Sequence, residues 1–174
     1  MFLNLSKIRT AHERIEDVYQ PGAFAADPQD TFRIAAPVLL AFDIHKEKDQ
    51  FRLVGSVQTR LELTCSRCLE SSPWPIDAAF DLRYQPHTCN TGEGEREIEE
   101  EDLSTAFYEN DTIDLRQLMS EQFYLSLPMK PLCREGCRGL CPACGTNLNR
   151  GTCNCNPEWE DPRFAALKTL KTNE

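Results

Sequence analysis

Nine cysteines carry the chemistry open to this sequence, and eight of them are grouped. Cys65-Ser66-Arg67-Cys68 is a short-spaced pair. Much later come Cys133, Cys137, then Cys141-Pro142-Ala143-Cys144-Gly145, and finally Cys153-Asn154-Cys155. A two-residue gap lets both sulfurs of a pair reach one ion, and four soft thiolates in a tetrahedron are the set zinc takes in structural sites. Gly145 follows the second cysteine of its pair, where such a turn needs a positive φ. Cys153 and Cys155 lie across the polar stretch Thr146-Asn147-Leu148-Asn149-Arg150-Gly151 and close a local set with Cys141 and Cys144, a treble-clef- or ribbon-like pair of knuckles. Cys65, Cys68, Cys133 and Cys137 remain for a long-range set. It would close a loop of more than sixty residues and staple a strand end to the segment after a helix. Spacing leaves the partition open: Cys137 and Cys141 can trade places, or one set is incomplete.

The expected cofactor is zinc, in one or two structural sites. Two other chemistries use the same thiolates. One is an iron–sulfur cluster. The other is a redox Cys-x-x-Cys, for which Cys65 and Cys68 are the candidates. That pair ends a strand, however, whereas redox pairs sit at helix N-termini where the dipole lowers the thiol pKa. Cys89 stands alone and reads as a free thiol without a role.

Little else points to catalysis. His12, His45 and His87 are scattered, none in a zinc-protease spacing, and read as surface residues. There is no nucleophile elbow, phosphate-binding glycine loop or dinucleotide fingerprint. A catalytic zinc keeps an open position and usually takes a histidine or carboxylate ligand, while these eight cysteines are all consumed by structure. The expectation is a protein that is not an enzyme. Trp74, between Pro73 and Pro75, and Trp159 read as packing residues rather than base-stacking platforms.

The formal net charge is −9, from 28 acids against 19 bases. From Glu93 to Asp111 nine acids face one base, Arg96, whereas from Lys130 to Glu174 seven bases face five acids. The chain lacks the basic footprint of a direct nucleic-acid binder, and each loaded four-thiolate site adds a formal charge of about −2. A basic protein partner fits this balance better than bare RNA. The start of the chain lacks a basic region followed by an apolar stretch. The longest apolar run, Ile34 to Phe42, is too short to span a bilayer. The expectation is a cytoplasmic protein without a membrane segment, in a compartment where reduced thiols favour metal over disulfides.

These cysteines need elements to position them. Residues 1–20, with Phe2, Leu3, Leu5 and Ile8 partly alternating, are consistent with an edge strand. Thr31 to His45 reads as a strand. Phe51 to Leu63 alternates with a period of two through Leu53, Gly55, Val57, Thr59 and Leu61. The charged link Lys46 to Gln50 reads as a hairpin loop. Ile76 to Tyr84 is a third strand, through Ala78, Phe80 and Leu82. Residues 86–110 read as a mobile acidic loop. A helix is expected from Asp111 or Thr112 to about Leu127, capped by Asp111, with Leu115, Leu118, Met119, Gln122 and Leu125 on one face and Pro128 ending it. A shorter helix is expected after Asp161-Pro162, with Phe164, Leu167 and Leu170 as its apolar stripe.

The fold class is therefore α+β, a mostly antiparallel sheet with one main helix and a C-terminal cysteine-rich, zinc-ribbon-like subdomain. The expected division is an α+β core over 1–128 and a zinc-binding subdomain with its helix over 129–174.

Taken together, the motifs resemble a known family. The strand ending in Cys65-Ser66-Arg67-Cys68, the acidic middle, the helix running into Leu127-Pro128, and Cys137-Arg138-Gly139-Leu140-Cys141-Pro142-Ala143-Cys144-Gly145 with Asn147-Leu148-Asn149 carry the likeness. Cys153-Asn154-Cys155 and the closing Asp161-Pro162-Arg163-Phe164-Ala165-Ala166-Leu167-Lys168 complete it. The chain is similar to the bacterial YceD family of large ribosomal RNA subunit accumulation proteins. The resemblance implies a ribosome-biogenesis role in the synthesis, processing or stability of large-subunit (23S) ribosomal RNA, and it brings no catalytic residues. With the charge balance, it suggests action through a basic large-subunit ribosomal protein or a pre-ribosomal particle, with direct RNA contact left open. The alternatives are a thiol-disulfide oxidoreductase using Cys65 and Cys68, and a zinc-braced protein–protein adaptor.

Overall fold

The structure, a computed structural model, describes residues 1–24, 31–87 and 105–155. The long alternating stretches become one hairpin that organises the rest. β5 (Gln50–Thr64) and β6 (Ser71–Pro86) pair antiparallel from Phe51↔Tyr84 to Thr64↔Ser71. At about 3.4 Å per residue the hairpin is roughly 50 Å long. Four more strands join it: β2 (His12–Tyr19), β3 (Phe32–Ile34), β4 (Val38–Glu47) and β7 (Thr105–Tyr108). The main path is β2-β4-β5-β6-β7, with β3 also on β5. All pairs in it are antiparallel except β6 with β7. β1 (Phe2–Asn4) and β8 (Thr112–Asp114) make a separate two-stranded sheet that leads into α1 (Leu115–Ser126).

One face of the main sheet is apolar because alternate residues point the same way. Val38, Leu40, Phe42 and Ile44 of β4, Phe51, Leu53, Val57 and Leu61 of β5, and Ile76 and Phe80 of β6 are all buried there. Gly55 lies between Phe42 and Phe80 in the same cross-strand row, and the two rings meet over it at 6.4 Å. A β-carbon at Gly55 would collide with the Ala41 carbonyl oxygen. Helix α1 covers this face with Leu118, Met119, Gln122 and Phe123. Trp74 packs at the edge of the same core.

Several expectations are corrected. Thr31 to His45 is two strands, because both pair with the longer β5 and the chain jogs at Ala35-Ala36-Pro37 between them. The first twenty residues hold two strands in different sheets. The charged link tightens to Lys48-Asp49, since Glu47 already pairs with Gln50. The third strand starts at Ser71, right after the Cys65–Cys68 turn. Asp111 does not cap the helix. Thr112, Ile113 and Asp114 are drawn into pairing with β1, and Asp114 becomes the cap, its Oδ1 accepting from the Arg116 N–H at 2.9 Å. Leu125 is exposed and Phe123 takes its place. At about 100° per residue the stripe centres between Leu118 and Phe123, and Leu125 falls at its margin. Thr105–Tyr108, expected in the acidic loop, is β7, anchored by Tyr108 stacking edge-on against Phe51 at 5.7 Å. Residues 88–104, with Cys89, and residues 156–174, with Trp159 and the expected second helix, lie outside the described residues. No helix among the described residues is long and apolar enough to cross a membrane.

Candidate metal centre

The first cysteine pair is the turn of the long hairpin. Cys65 N–H donates to the Glu70 carbonyl at 2.9 Å and Leu69 N–H to the Cys65 carbonyl at 3.0 Å. The second pair repeats this backbone. Cys141 N–H donates to the Thr146 carbonyl at 2.8 Å and Gly145 N–H to the Cys141 carbonyl at 2.9 Å. In both turns the residue after the second cysteine is left-handed, Leu69 at φ 59° and Gly145 at φ 73°. Gly145 fits the sequence reading. Leu69 does the same job with a side chain that the left-handed region disfavours.

The segment after α1 runs back to the hairpin tip. Ser66 N–H donates to the Pro131 carbonyl at 2.8 Å, and Leu140 N–H to the Arg67 carbonyl at 3.0 Å. Arg67 returns a bond from its guanidinium to the Cys137 carbonyl at 2.9 Å. Gly139, at φ 73°, lets the chain pass this close: a β-carbon there would sit 3.0 Å from the Arg67 carbonyl oxygen.

These contacts gather the sulfurs into two sets, Cys65, Cys68, Cys133 and Cys137, and Cys141, Cys144, Cys153 and Cys155, with all four sulfurs of each set within 4.8 Å of one another. This settles the neighbourhood of Cys137 and Cys141, which spacing left open. None of the eight forms a disulfide. In the long-range set Cys65 and Cys137 sulfurs are 3.8 Å apart, and Cys68 and Cys133 sulfurs 3.7 Å. A tetrahedron with metal–sulfur bonds of about 2.3 Å has edges of roughly 3.8 Å, so the donor set and its spacing suit one tetrahedral ion. The sets differ in exposure. Cys65, Cys68 and Cys137 are buried in a small cluster of their own beside Leu132, while Cys144 is exposed.

The thiols in each set are unequal. The N–H groups of Cys68 and Cys133 hold the Cys65 thiol down at about 6, while burial and the neighbouring thiols push Cys133 up to about 12. The Thr146 hydroxyl and N–H hold Cys144 down at about 6, and the Cys144 sulfur, then burial, push Cys155 up to about 12. Four ionised sulfurs this close repel one another. A divalent cation removes that repulsion and lets all of them ionise.

Sequence reasoning missed the outer groups. The Asn149 amide donates to the Cys137 sulfur at 3.3 Å and lowers its pKa more than any other contact. In the sequence Arg67 is only a spacer within Cys65-Ser66-Arg67-Cys68, and Leu69 carries no signal. The polar stretch 146–151 was the available signal, but nothing in it marks which residue turns inward. Sequence also scattered the histidines, whereas His12 and His45 are cross-strand partners with rings 4.7 Å apart. They begin a row across the open sheet face, His12↔His45↔Arg52↔Arg83. Arg52 is bonded twice to Asp81, at 2.8 and 2.5 Å.

Comparison with known proteins adds independent findings. The family model described as large ribosomal RNA subunit accumulation protein YceD matches residues 53–171, a span that holds both cysteine sets. A Zea mays protein named large ribosomal RNA subunit accumulation protein YCED homolog 1, chloroplastic, is 29% identical over 153 residues, covering 70% of this chain and 49% of that protein. Its Arabidopsis thaliana namesake is 29% identical over 156 residues, covering 78% and 49%. A Mycobacterium tuberculosis protein described as uncharacterized is 30% identical over 131 residues, covering 74% and 60%. The chain thus spans about half the length of the plant relatives it matches. No solved structure matches it. With the family model covering well over half of its residues, the chain belongs to the YceD family of large ribosomal RNA subunit accumulation proteins.

Proposed function

We propose that the chain is a non-enzymatic ribosome-biogenesis factor that supports the synthesis, processing or stability of large-subunit ribosomal RNA, with zinc bracing both cysteine sets. The observation that carries this reading is the family match over residues 53–171, which includes every cysteine of both sets. Zinc is favoured by the sulfur spacing of 3.7 and 3.8 Å, which suits a single ion, whereas a cluster of several irons and sulfides holds its cysteines farther apart. The burial of Cys65 and Cys68 inside a closed set of four weighs against a thiol oxidoreductase, whose attacking sulfur must be reached by substrate. A zinc-braced adaptor unconnected with ribosomes has only the braces in its favour.

The partner in this proposal is a basic ribosomal protein or a pre-ribosomal particle. The acidic stretch from Glu93 to Asp111 supplies the attraction. Metal analysis of the native chain, with mass identification of what co-purifies, tests the reading. Two zinc ions per chain and large-subunit components are expected, and metal-free protein or co-purification without ribosomal components overturns it. The acidic part is tested separately by changing the acids between Glu93 and Asp102 to their amides. Deletion through residue 109 is unsuitable because it would remove β7. Loss of salt-sensitive binding is expected, and unchanged binding with unchanged ribosomal RNA levels removes the acidic stretch from the mechanism.

A second reading, direct contact with RNA, is favoured by the cross-strand row His12, His45, Arg52 and Arg83. Arg52 and Arg83 stand opposite one another on the open face, with Asp81 on Arg52 and Asp43 on His12, and RNA phosphates would join these carboxylates around the arginines. This reading predicts affinity for single-stranded RNA that falls steeply with salt and drops on Arg83→Gln.

A further inference from the structure

Asn149 belongs by sequence to the local set, in the stretch between Cys144 and Cys153, but its side chain is spent on the long-range set. Its orientation is fixed by unambiguous donors. The Arg138 N–H and the Arg134 guanidinium both donate to Oδ1 at 2.9 Å, and neither group can accept. The amide nitrogen must therefore face the other way, where it meets the Cys137 sulfur at 3.3 Å and Asn147 Oδ1 at 3.0 Å. The stretch that carries Asn149 is itself held over the long-range set: Leu148 N–H donates to the Gly139 carbonyl at 2.9 Å. Asn147 Oδ1 accepts from the Asn149 backbone N–H at 2.9 Å and so shapes the turn.

We infer that Asn149 is a positioning residue for metal binding at the long-range set, and that the two sets are one coupled unit. The local set orders residues 146–151, and that order delivers an amide donor to the Cys137 thiolate. A donor to a coordinating sulfur fixes the direction in which that sulfur faces its ion. Ligation by Cys141, Cys144, Cys153 and Cys155 therefore raises the affinity of Cys65, Cys68, Cys133 and Cys137 for their ion, although the sets share no ligand. Linkage makes the effect reciprocal.

This inference rests on the metal reading, and one experiment separates the two. Full-length chain, stripped of metal, is titrated with zinc against a chromophoric chelator and with cobalt, whose thiolate charge-transfer and d–d bands report tetrahedral sulfur ligation. The variants are Asn149→Ala, Asn149→Asp, Cys144→Ser with Cys153→Ser, and the triple change that joins these serines to Asn149→Ala. Two ions are expected in the unchanged chain. Asn149→Ala should weaken the long-range set by about 10–100-fold, the usual range for outer partners of metal ligands. Asn149→Asp should weaken it further, because it keeps the Oδ1 acceptor but sets a carboxylate against a thiolate. The double serine change should weaken the long-range set by a factor close to that of Asn149→Ala, and Asn149→Ala should add little on top of it. A long-range set whose affinity ignores Asn149 and the serine changes overturns the coupling and leaves the metal reading intact. Effects that multiply independently also overturn it. A chain that binds neither ion overturns the metal reading, and the coupling with it.

Discussion

Cys65–Glu70 and Cys141–Thr146 make the same turn, closed by the same pair of backbone hydrogen bonds, in two different settings. The first is the tip of the long β5–β6 hairpin, where the chain already has to reverse, and its partners Cys133 and Cys137 arrive from beyond the helix. The second draws all four cysteines from fifteen consecutive residues, and Cys144 is exposed. Turn geometry therefore comes from local sequence, while the consequence of ligation depends on what the turn is attached to. Closing a long loop removes more unfolded-chain freedom than closing a short one. With an ion bound, the long-range set would fasten the tail to the sheet, and the local set would shape the tail itself.

The largest contrast should come from removing one sulfur from each set. Cys137→Ser is expected to lose one ion, to cost more than about 4 kcal/mol, and to raise hydrogen exchange at residues 65–70 as well as 129–155. Cys144→Ser should raise exchange within 140–155 and leave protection of β5 and β6 intact. Equal spread from both variants would erase the distinction between fastening and shaping. Chelation gives a second contrast. Timed alkylation mapped by mass spectrometry should label Cys144 well before Cys65 and Cys68 as metal is withdrawn, and simultaneous labelling would mean the sets open together.

Gly139 sharpens the comparison at the crossing point. Gly139→Ala meets both a left-handed φ and the Arg67 carbonyl, and it should cost about 2 kcal/mol in urea unfolding. No loss would show that the tail can lift from the hairpin at little cost. The smallest effect concerns the two left-handed positions. Leu69→Gly removes a strain of roughly 1–2 kcal/mol against a backbone-entropy cost of about 0.5–1 kcal/mol, so a net gain of up to about 1.5 kcal/mol is expected in urea unfolding. Gly145→Ala should move the other way. The same sign from both would mean that the turns are not equivalent in solution.

Much of the site was legible because its signal is local. Short cysteine spacings, Gly145 and the alternation of Phe51 to Leu63 constrain a chain whatever its surroundings. The errors cluster where tertiary partners competed with local preference. Thr112 to Asp114 has acceptable helix-start chemistry, but β1 offers a strand partner, and the cap moves to Asp114. Thr105–Tyr108 is too short to announce itself, and it becomes β7 only because β6 is long enough to receive it. Leu125 belongs to the right periodicity, yet the centre of the covered stripe depends on which side faces the sheet.

By itself the sequence determined the type and number of candidate sulfur donors, the antiparallel hairpin and the family likeness, because each is written in residue type and short spacing. Tertiary structure decided that Cys137 joins the hairpin set and Cys141 the local one. It also turned Asn149 toward a sulfur of the other set and aligned His12, His45, Arg52 and Arg83 across four strands. These are relations between residues far apart in the chain, and they exist only once burial of the sheet face and pairing of the strands have fixed where each segment lies.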